Sequence, residues 1–273
     1  MILSPKNKIF LAPMEEVNDP AFRLLCKKAG AGLTYTPLSS PLNPNSLILD
    51  DKPVLQIFAK DTKGIKEFIK KYDKKVAGWD FNLGCPSDLA KKHGFGSYLT
   101  DLEKIESILK EMRKNTKKSI TIKIRKSPIA YGLLRLAEKY CDAIAIHART
   151  RAQGYAGEPD LAWAKEFKSK SKIPVIYSGS VNEHNANELL KTFDYIMIAR
   201  AAIGHPEIFA KLTNNKKFNK SFKDYLKLAK KYHLPFRQIK FQAMQFTKGE
   251  RGSRKLRDSM YRIKTLEELK KLF

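Results

Sequence analysis

Eight short apolar, β-prone runs, KIFLAPM, LTYTPLSS, VLQIF, GWDFNLG, SITIKIR, AIAIHAR, PVIYSGS and YIMIAR, are spread over little more than the first 200 residues and are separated by helical segments. Strict alternation of this kind limits the chain to parallel-sheet architectures, because each strand must return through a crossover helix before the next can pair beside it. Eight strands with eight crossovers give a closed (β/α)8 TIM barrel near the lower end of that fold's size range. A doubly wound open sheet is the alternative. It would use five or six strands and a glycine-rich first turn, which Ala12-Pro13-Met14 is not. The first helix is bracketed by Asp19 as N-cap, Pro20 at its first position and Gly30 beyond its end. The others are expected to begin near Asp61, Asp101, Pro128, Asp160, Asn182 and Pro206.

After about residue 212 only helical signals remain. The polar stretch Asn214-Asn215-Lys216-Lys217 reads as a boundary between a barrel over 1–213 and a small C-terminal helical bundle over 214–273. Segments near 221–232, 235–248 and 253–263 and the terminal TLEELKKLF supply its helices, the last opening on a Thr265/Glu268 capping box. The chain carries a formal charge of +25 over 273 residues. Lys216 to Phe273 hold 18 basic and 5 acidic residues, a net +13, and the first 215 residues hold the remaining +12. An excess of this size points to a polyanionic partner, nucleic acid or an anionic surface. Its bland reading in the tail is the solvated face of a bundle, with the Phe and Tyr residues from Phe209 onward as the bundle core. A content of 42% apolar and 10% aromatic residues excludes a disordered chain. No apolar run is long enough to span a bilayer and MILSPKNKIF lacks the features of a signal peptide, so a cytoplasmic protein is expected. Three widely spaced cysteines without a CxxC pair suggest neither a disulfide framework nor a structural metal.

In a barrel the functional groups gather at the carboxyl ends of the strands. Ile120, Ile122 and Ile124 share one face of SITIKIR, so Thr121, Lys123 and Arg125 face inward. AIAIHAR turns Ala143, Ala145, His147 and Arg149 inward, VLQIF contributes Gln56 and GWDFNLG contributes Asn82. Taken alone, Lys123 and Arg125 also fit the solvated face of an antiparallel strand, and His147 a satisfied core histidine. The last two strands end in Ser178-Gly179-Ser180 and Ala199-Arg200, turns where barrels bind phosphate, although Gly179 also suits an ordinary tight turn. Gly94-Phe95-Gly96 is not a dinucleotide fingerprint, since no strand leads directly into it. Cys26 and Cys141 read as packing residues. Cys85, in Asn82-Leu83-Gly84-Cys85-Pro86 just beyond the fourth strand, is a candidate nucleophile or proton donor; a free thiol is mostly protonated at neutral pH and suits the second role without tuning.

Six motifs in order resemble those of the tRNA-dihydrouridine synthases, flavin enzymes of the barrel class: LAPMEEVNDPAFR, FNLGCPSDLAKKHGFGSYL, KIR, HARTRAQGYAG, SGS and ARAAIGHPEIF. The resemblance covers nearly the whole chain. It implies FMN across the barrel mouth, with Pro13 and Met14 beside the ring and Gln56 and Lys123 on its polar edge. It further implies contact with the cofactor by His147 and a phosphate site at Ser178, Gly179, Ser180, Ala199 and Arg200. Asn82, Arg125 and Tyr155 match positions that contact the target uracil, and Cys85 matches the catalytic cysteine. The implied reaction reduces the uracil C5–C6 double bond, hydride passing from reduced flavin N5 to C6 and a proton from Cys85 to C5. The reductant would be NADPH or NADH and the partner tRNA, with a monomer expected, no membrane association and no metal. The chain departs from the family in SGS, where an acidic residue commonly follows the glycine, in LTYTPLSS, which lacks a frequent glutamate, and in PEIF for the commoner PWIF. A flavin reductase of a free pyrimidine would leave the basic tail without a task. A non-catalytic RNA-binding protein would leave the strand-end residues without one.

Overall fold

In the computed structural model, which describes residues 5–43, 46–219, 221–248 and 253–272, the eight expected runs form the eight strands of one parallel sheet. They are β1 (Ile9–Leu11), β2 (Leu33–Thr34), β3 (Val54–Ile57), β4 (Gly78–Leu83), β5 (Ser119–Arg125), β6 (Ala143–His147), β7 (Val175–Ser178) and β8 (Tyr195–Ile198). The strand order is β2-β1-β8-β7-β6-β5-β4-β3. Two isolated parallel bridges, Tyr35–Val54 and Ser39–Ile57, join its two ends and close the barrel.

The register stacks the inward side chains in levels. Gln56 pairs with Asp80, Asp80 with Thr121 and Thr121 with Ala143; one level higher Asn82 pairs with Lys123 and Lys123 with Ala145; at the rim Arg125 pairs with His147 and His147 with Ser178. Alternation sends Ile120, Ile122 and Ile124 outward, where all three are fully buried against the helices. Each such side chain contributes about 1.5–3 kcal/mol by leaving water. A separate inner cluster of Phe10, Tyr35, Val54, Ala143, Ala145, Ile176 and Met197 fills the barrel below the rim.

The helices around the sheet are α1 (Pro20–Ala29), α2 (Ile65–Tyr72), α3 (Asp88–His93), α4 (Leu102–Asn115), α5 (Ala130–Tyr140), α6 (Leu161–Ser169), α7 (Ala186–Thr192) and α8 (Glu207–Leu212). Asp19, Asp101 and Asp160 cap α1, α4 and α6 as the sequence suggests. Three starts lie later than expected. The Asp61 carboxylate accepts from the Lys63 amide instead of opening a helix, and α2 begins after Gly64, whose φ of 78° stops the helix from extending back. Asn182 likewise accepts from the His184 and Asn185 amides, so α7 begins at Ala186. Pro128 precedes α5 by two residues. The six-residue α3, capped by Ser87, was not foreseen.

The chain continues through α9 (Phe222–Lys231), α10 (Phe236–Phe246), α11 (Ser253–Arg262) and α12 (Leu266–Lys270). The expected Thr265/Glu268 capping box opens α12, and Phe273 lies outside the described residues. Phe222, Tyr225 and Phe246 form a buried aromatic group, as expected of core residues, whereas Tyr261 is exposed. α9 packs against α1. One carboxylate knits this contact. Asp19 Oδ1 accepts from the Phe22 amide at the start of α1, while Oδ2 accepts from Tyr225, Gln238 and Gln242. The same two glutamines donate to the Glu16 and Val17 carbonyls, so α10 holds the loop that leaves β1. Close approach is also required at Gly204, where a Cβ would lie 2.1 Å from the Gln245 carbonyl oxygen of α10.

Candidate active site

The carboxyl ends of the strands surround a pocket of about 750 Å³. The residues that the family resemblance assigns to the site all line it: Pro13 and Met14 after β1, Gln56 on β3, Asn82 and Cys85 on and after β4, Lys123 and Arg125 on β5, His147 and Tyr155 on and after β6, Ser178, Gly179 and Ser180 at the end of β7, and Ala199 and Arg200 after β8. The inward-facing Thr121, Ala143 and Ala145 are not among the lining residues. Sequence reasoning gave no role to three neighbours. Glu15 is the one carboxylate lining the pocket among the described residues, Arg149 lines its wall, and Asp80 lies beneath its floor. Asp80 was legible, since it is two residues before Asn82 on the same strand and must share its face.

Cys85 is half-buried and sits on a turn fixed by Asn82. The Asn82 Oδ1 accepts from the Gly84 and Cys85 amides at 3.1 and 2.9 Å, which orients its amide so that Nδ2 donates to Gln56 Oε1. The Cys85 thiol donates to Ser87 Oγ at 3.3 Å. From the other side the Gly94-Phe95-Gly96 segment closes on the turn: Ser97 donates to the Cys85 carbonyl through both its amide and its hydroxyl. Gly96 has φ 61°, and a Cβ there would stand 2.8 Å from that carbonyl oxygen. Gly96 therefore serves the cysteine turn, while Gly94, in the left-handed region with φ 70°, ends α3.

Two buried guanidinium groups hold the loop after β6 over the mouth. Arg125 donates to the Gly84, Thr150 and Gly154 carbonyls, and Arg149 donates to those of Ala156 and Gly157 and to Ser180 Oγ. Tyr155, on this loop, is 61% exposed and lies over both Arg125 and Arg200, with ring centroids 5.3 and 5.7 Å from the guanidinium carbons.

The cations act on one another. Burial, and then Arg125, lowers the Lys123 ammonium to a pKa of about 8, while Asp80 and Cys85 oppose the shift. Burial and the surrounding Lys123, Arg125, Arg149 and Arg200 push His147 down to about 2, so its imidazole is neutral at physiological pH. Arg149 donates to its Nε2 at 3.2 Å, which leaves the ring proton on Nδ1.

At the opposite side, Gly179 has φ 129° and a Cβ on it would meet the His147 ring at 2.9 Å, so both conformation and space demand glycine. The helix N-terminus foreseen at this turn is not there: residues 180–185 form a turn in which Asn182 and Asn185 donate to the Ser180 carbonyl before α7 starts. After β8 a short 3₁₀ turn, Arg200–Ala202, begins directly at the strand end. No group of three or more His, Cys, Asp or Glu placed to bind a metal occurs among the described residues.

Residues 10–273 match the family model for dihydrouridine synthase (Dus). The chain belongs to the dihydrouridine synthase family. It is 34% identical over 238 residues to a probable tRNA-dihydrouridine synthase of Helicobacter pylori (strain ATCC 700392 / 26695), covering 77% of this chain and 72% of that one. It is 30% identical over 231 residues to tRNA-dihydrouridine synthase B of Klebsiella pneumoniae, with coverages of 76% and 71%. Among solved structures, morphinone reductase in complex with tetrahydroNAD superposes with a TM-score of 0.55 over 81% of this chain and 90% of that chain. At 10% identity that likeness shows this family member to share a barrel fold and nothing finer.

Proposed function

We propose that the protein is a tRNA-dihydrouridine synthase that reduces the C5–C6 double bond of uracil in tRNA, using FMN in the pocket and NADPH or NADH as reductant. The observation that carries this reading is the placement of Cys85: a thiol on a turn fixed from both sides, opening into the same pocket as Lys123 and Arg125. The donor set fits FMN. Ser178, Ser180 and Arg200 supply hydroxyl and guanidinium groups for a phosphate, and the Gly179 turn admits close approach of the backbone. Lys123, Gln56 and the neutral His147 supply donors for the ring's polar edge. Bound there, FMN would supply hydride to uracil C6.

The chain's own residues do the rest. Cys85 would give its proton to C5, and Asn82 holds it in position through the backbone of its turn. Lys123 stabilises negative charge at the ring's polar edge, and Arg125 with Tyr155 forms the wall against which an extruded base rests. The base must leave its stack to enter, so folded RNA has to be gripped beside the mouth. The net +13 of residues 216–273, on helices that dock beside the β1 loop, suits that task and makes 214–273 the tRNA-binding region. No helix among the described residues is long and apolar enough to cross a membrane. A monomer acting in the cytoplasm is consistent with this reading.

The test is the visible absorption of purified protein. Flavin is expected at close to one equivalent, and reduction of the loaded protein followed by tRNA lacking dihydrouridine should reoxidise it. A protein that takes up no FMN, or whose reduced flavin is reoxidised by free uridine as fast as by tRNA, would overturn the assignment.

A further inference from the structure

Asp80 is fully buried, charged, and outside every role described so far. It sits one level below Asn82 and Lys123 in the barrel, paired with Gln56 on one side and Thr121 on the other. Both neighbours point donors at it: Gln56 Nε2 at 2.5 Å to Oδ2, and the Thr121 hydroxyl to Oδ1. The polarity of this chain is fixed from its far end. Backbone N–H groups of Gly84 and Cys85 require the Asn82 oxygen to face them, Asn82 Nδ2 therefore faces Gln56 Oε1, and Gln56 Nε2 is left to face Asp80. An acceptor is needed at the end of the chain, and a carboxylate supplies one.

The second demand is electrostatic. Lys123 is half-buried and faces Arg125 on its own strand and His147, flanked by Arg149, on the next; Asp80 on β4 favours its charge, as Cys85 on the following turn does only when ionised. Facing Asp80 are Gln56 on β3, Thr121 and Lys123 on β5, and the buried Tyr35 hydroxyl. Burying an ammonium without a counter-charge costs several kcal/mol, and the usual outcome is loss of its proton.

We propose that Asp80 is a positioning residue of this site: from beneath the pocket floor its carboxylate fixes the Gln56–Asn82–Cys85 hydrogen-bond chain and serves as the counter-charge that keeps Lys123 protonated. Burial raises the Asp80 carboxyl to about 6, and its two donors and Lys123 pull it back, which keeps it anionic at neutral pH. The inference concerns the pocket read above as a flavin site, but it is stated for the protein's own groups and can be tested without the cofactor.

Asp80→Asn separates the two demands. The new amide can present its oxygen to Gln56 and its nitrogen to Thr121, whose hydroxyl is free to turn and accept, so the hydrogen-bond chain survives while the charge is lost. The measurement is the NMR titration of the Lys123 ¹⁵Nζ signal in flavin-free protein, assigned by its disappearance in Lys123→Met. In Asp80→Asn the midpoint should fall by about one unit or more, with the Gln56 side-chain amide signals retained. An unchanged midpoint overturns the proposal. If Asp80→Asn does not fold, Thr121→Val removes one donor that holds the carboxylate anionic and should move Lys123 in the same direction by less; no movement there also overturns it. In flavin-loaded protein the alkaline limb of flavin reduction should shift with Lys123. A wild type that binds no flavin ends the functional reading, and the Lys123 titration then decides the role of Asp80 alone.

Discussion

Asn82 does not point freely into the pocket; its side-chain oxygen accepts from the Cys85 amide at 2.9 Å and so holds the backbone of the cysteine turn in place. The family resemblance gives this position a contact with uracil. In the structure Asn82 is 7% exposed and each of its polar atoms already has a partner, so its firmest task is to fix the turn. Asn82→Ala frees two amides and leaves Gln56 Oε1 unpaired. Single-turnover reduction of tRNA should fall by about tenfold to a hundredfold while flavin absorbance is retained, since the loss lies in orienting the proton donor. An unchanged rate would return Asn82 to a purely structural part.

The pH dependence follows from the buried groups. Lys123 has its pKa lowered to about 8, so its ammonium is present below that pH and is lost as pH rises through it. Asp80 is raised to about 6, so its acceptor is present above that pH and is lost as pH falls through it. Both changes act against the site. kcat/KM for tRNA should therefore fall on both sides of a maximum between these values, and Lys123→Met should alter the alkaline limb while leaving the acid limb in place. His147, pushed down to about 2, contributes no limb near neutrality, and His147→Gln should leave the profile's shape unaltered.

Asp19 ties the barrel to the C-terminal helices, through one oxygen to α1 and through the other to Tyr225, Gln238 and Gln242. Asp19→Ala removes an N-cap and leaves the buried Tyr225 and Gln242 and the half-buried Gln238 without their shared acceptor. It should cost about 2–4 kcal/mol, seen as a lower denaturant midpoint. Because α10 also holds the Glu16 and Val17 carbonyls, flavin affinity should weaken with it. Retained stability would show that the two regions dock by apolar packing alone.

Lys223, Lys227 and Lys230 lie on the exposed face of α9 at helical spacing. Reversing all three to Glu should weaken tRNA binding about tenfold or more and flatten its dependence on salt, with flavin content unchanged. Equal affinity and equal salt slope would move the RNA grip elsewhere on the molecule.

Most of the barrel and the lining of its pocket were legible because period-two alternation decides what faces inward. The rule that turned Lys123 and Arg125 inward also placed Ala143, Ala145 and His147 correctly. It applies equally to Asp80, but a buried carboxylate below a pocket carries no motif, only a position. Helix starts were less legible. Asp61 and Asn182 have the chemistry of N-caps, but each closes a local turn on the amide two residues later, and the choice between turn and helix depends on the φ at Gly64 and on how the chain returns to the sheet. The roles of Arg125 and Arg149 in holding the loop of Tyr155 lay beyond the sequence, because their partners are main-chain carbonyls that no residue identity announces.

The central claim is that Cys85 protonates a uracil held against the cofactor in this pocket. The most direct measurement is dihydrouridine formation in tRNA by prereduced, flavin-loaded wild type and Cys85→Ala in a single turnover. Cys85→Ala should bind flavin and tRNA as wild type does and form product about a hundredfold or more slowly. Product formed at the wild-type rate by Cys85→Ala would contradict the account.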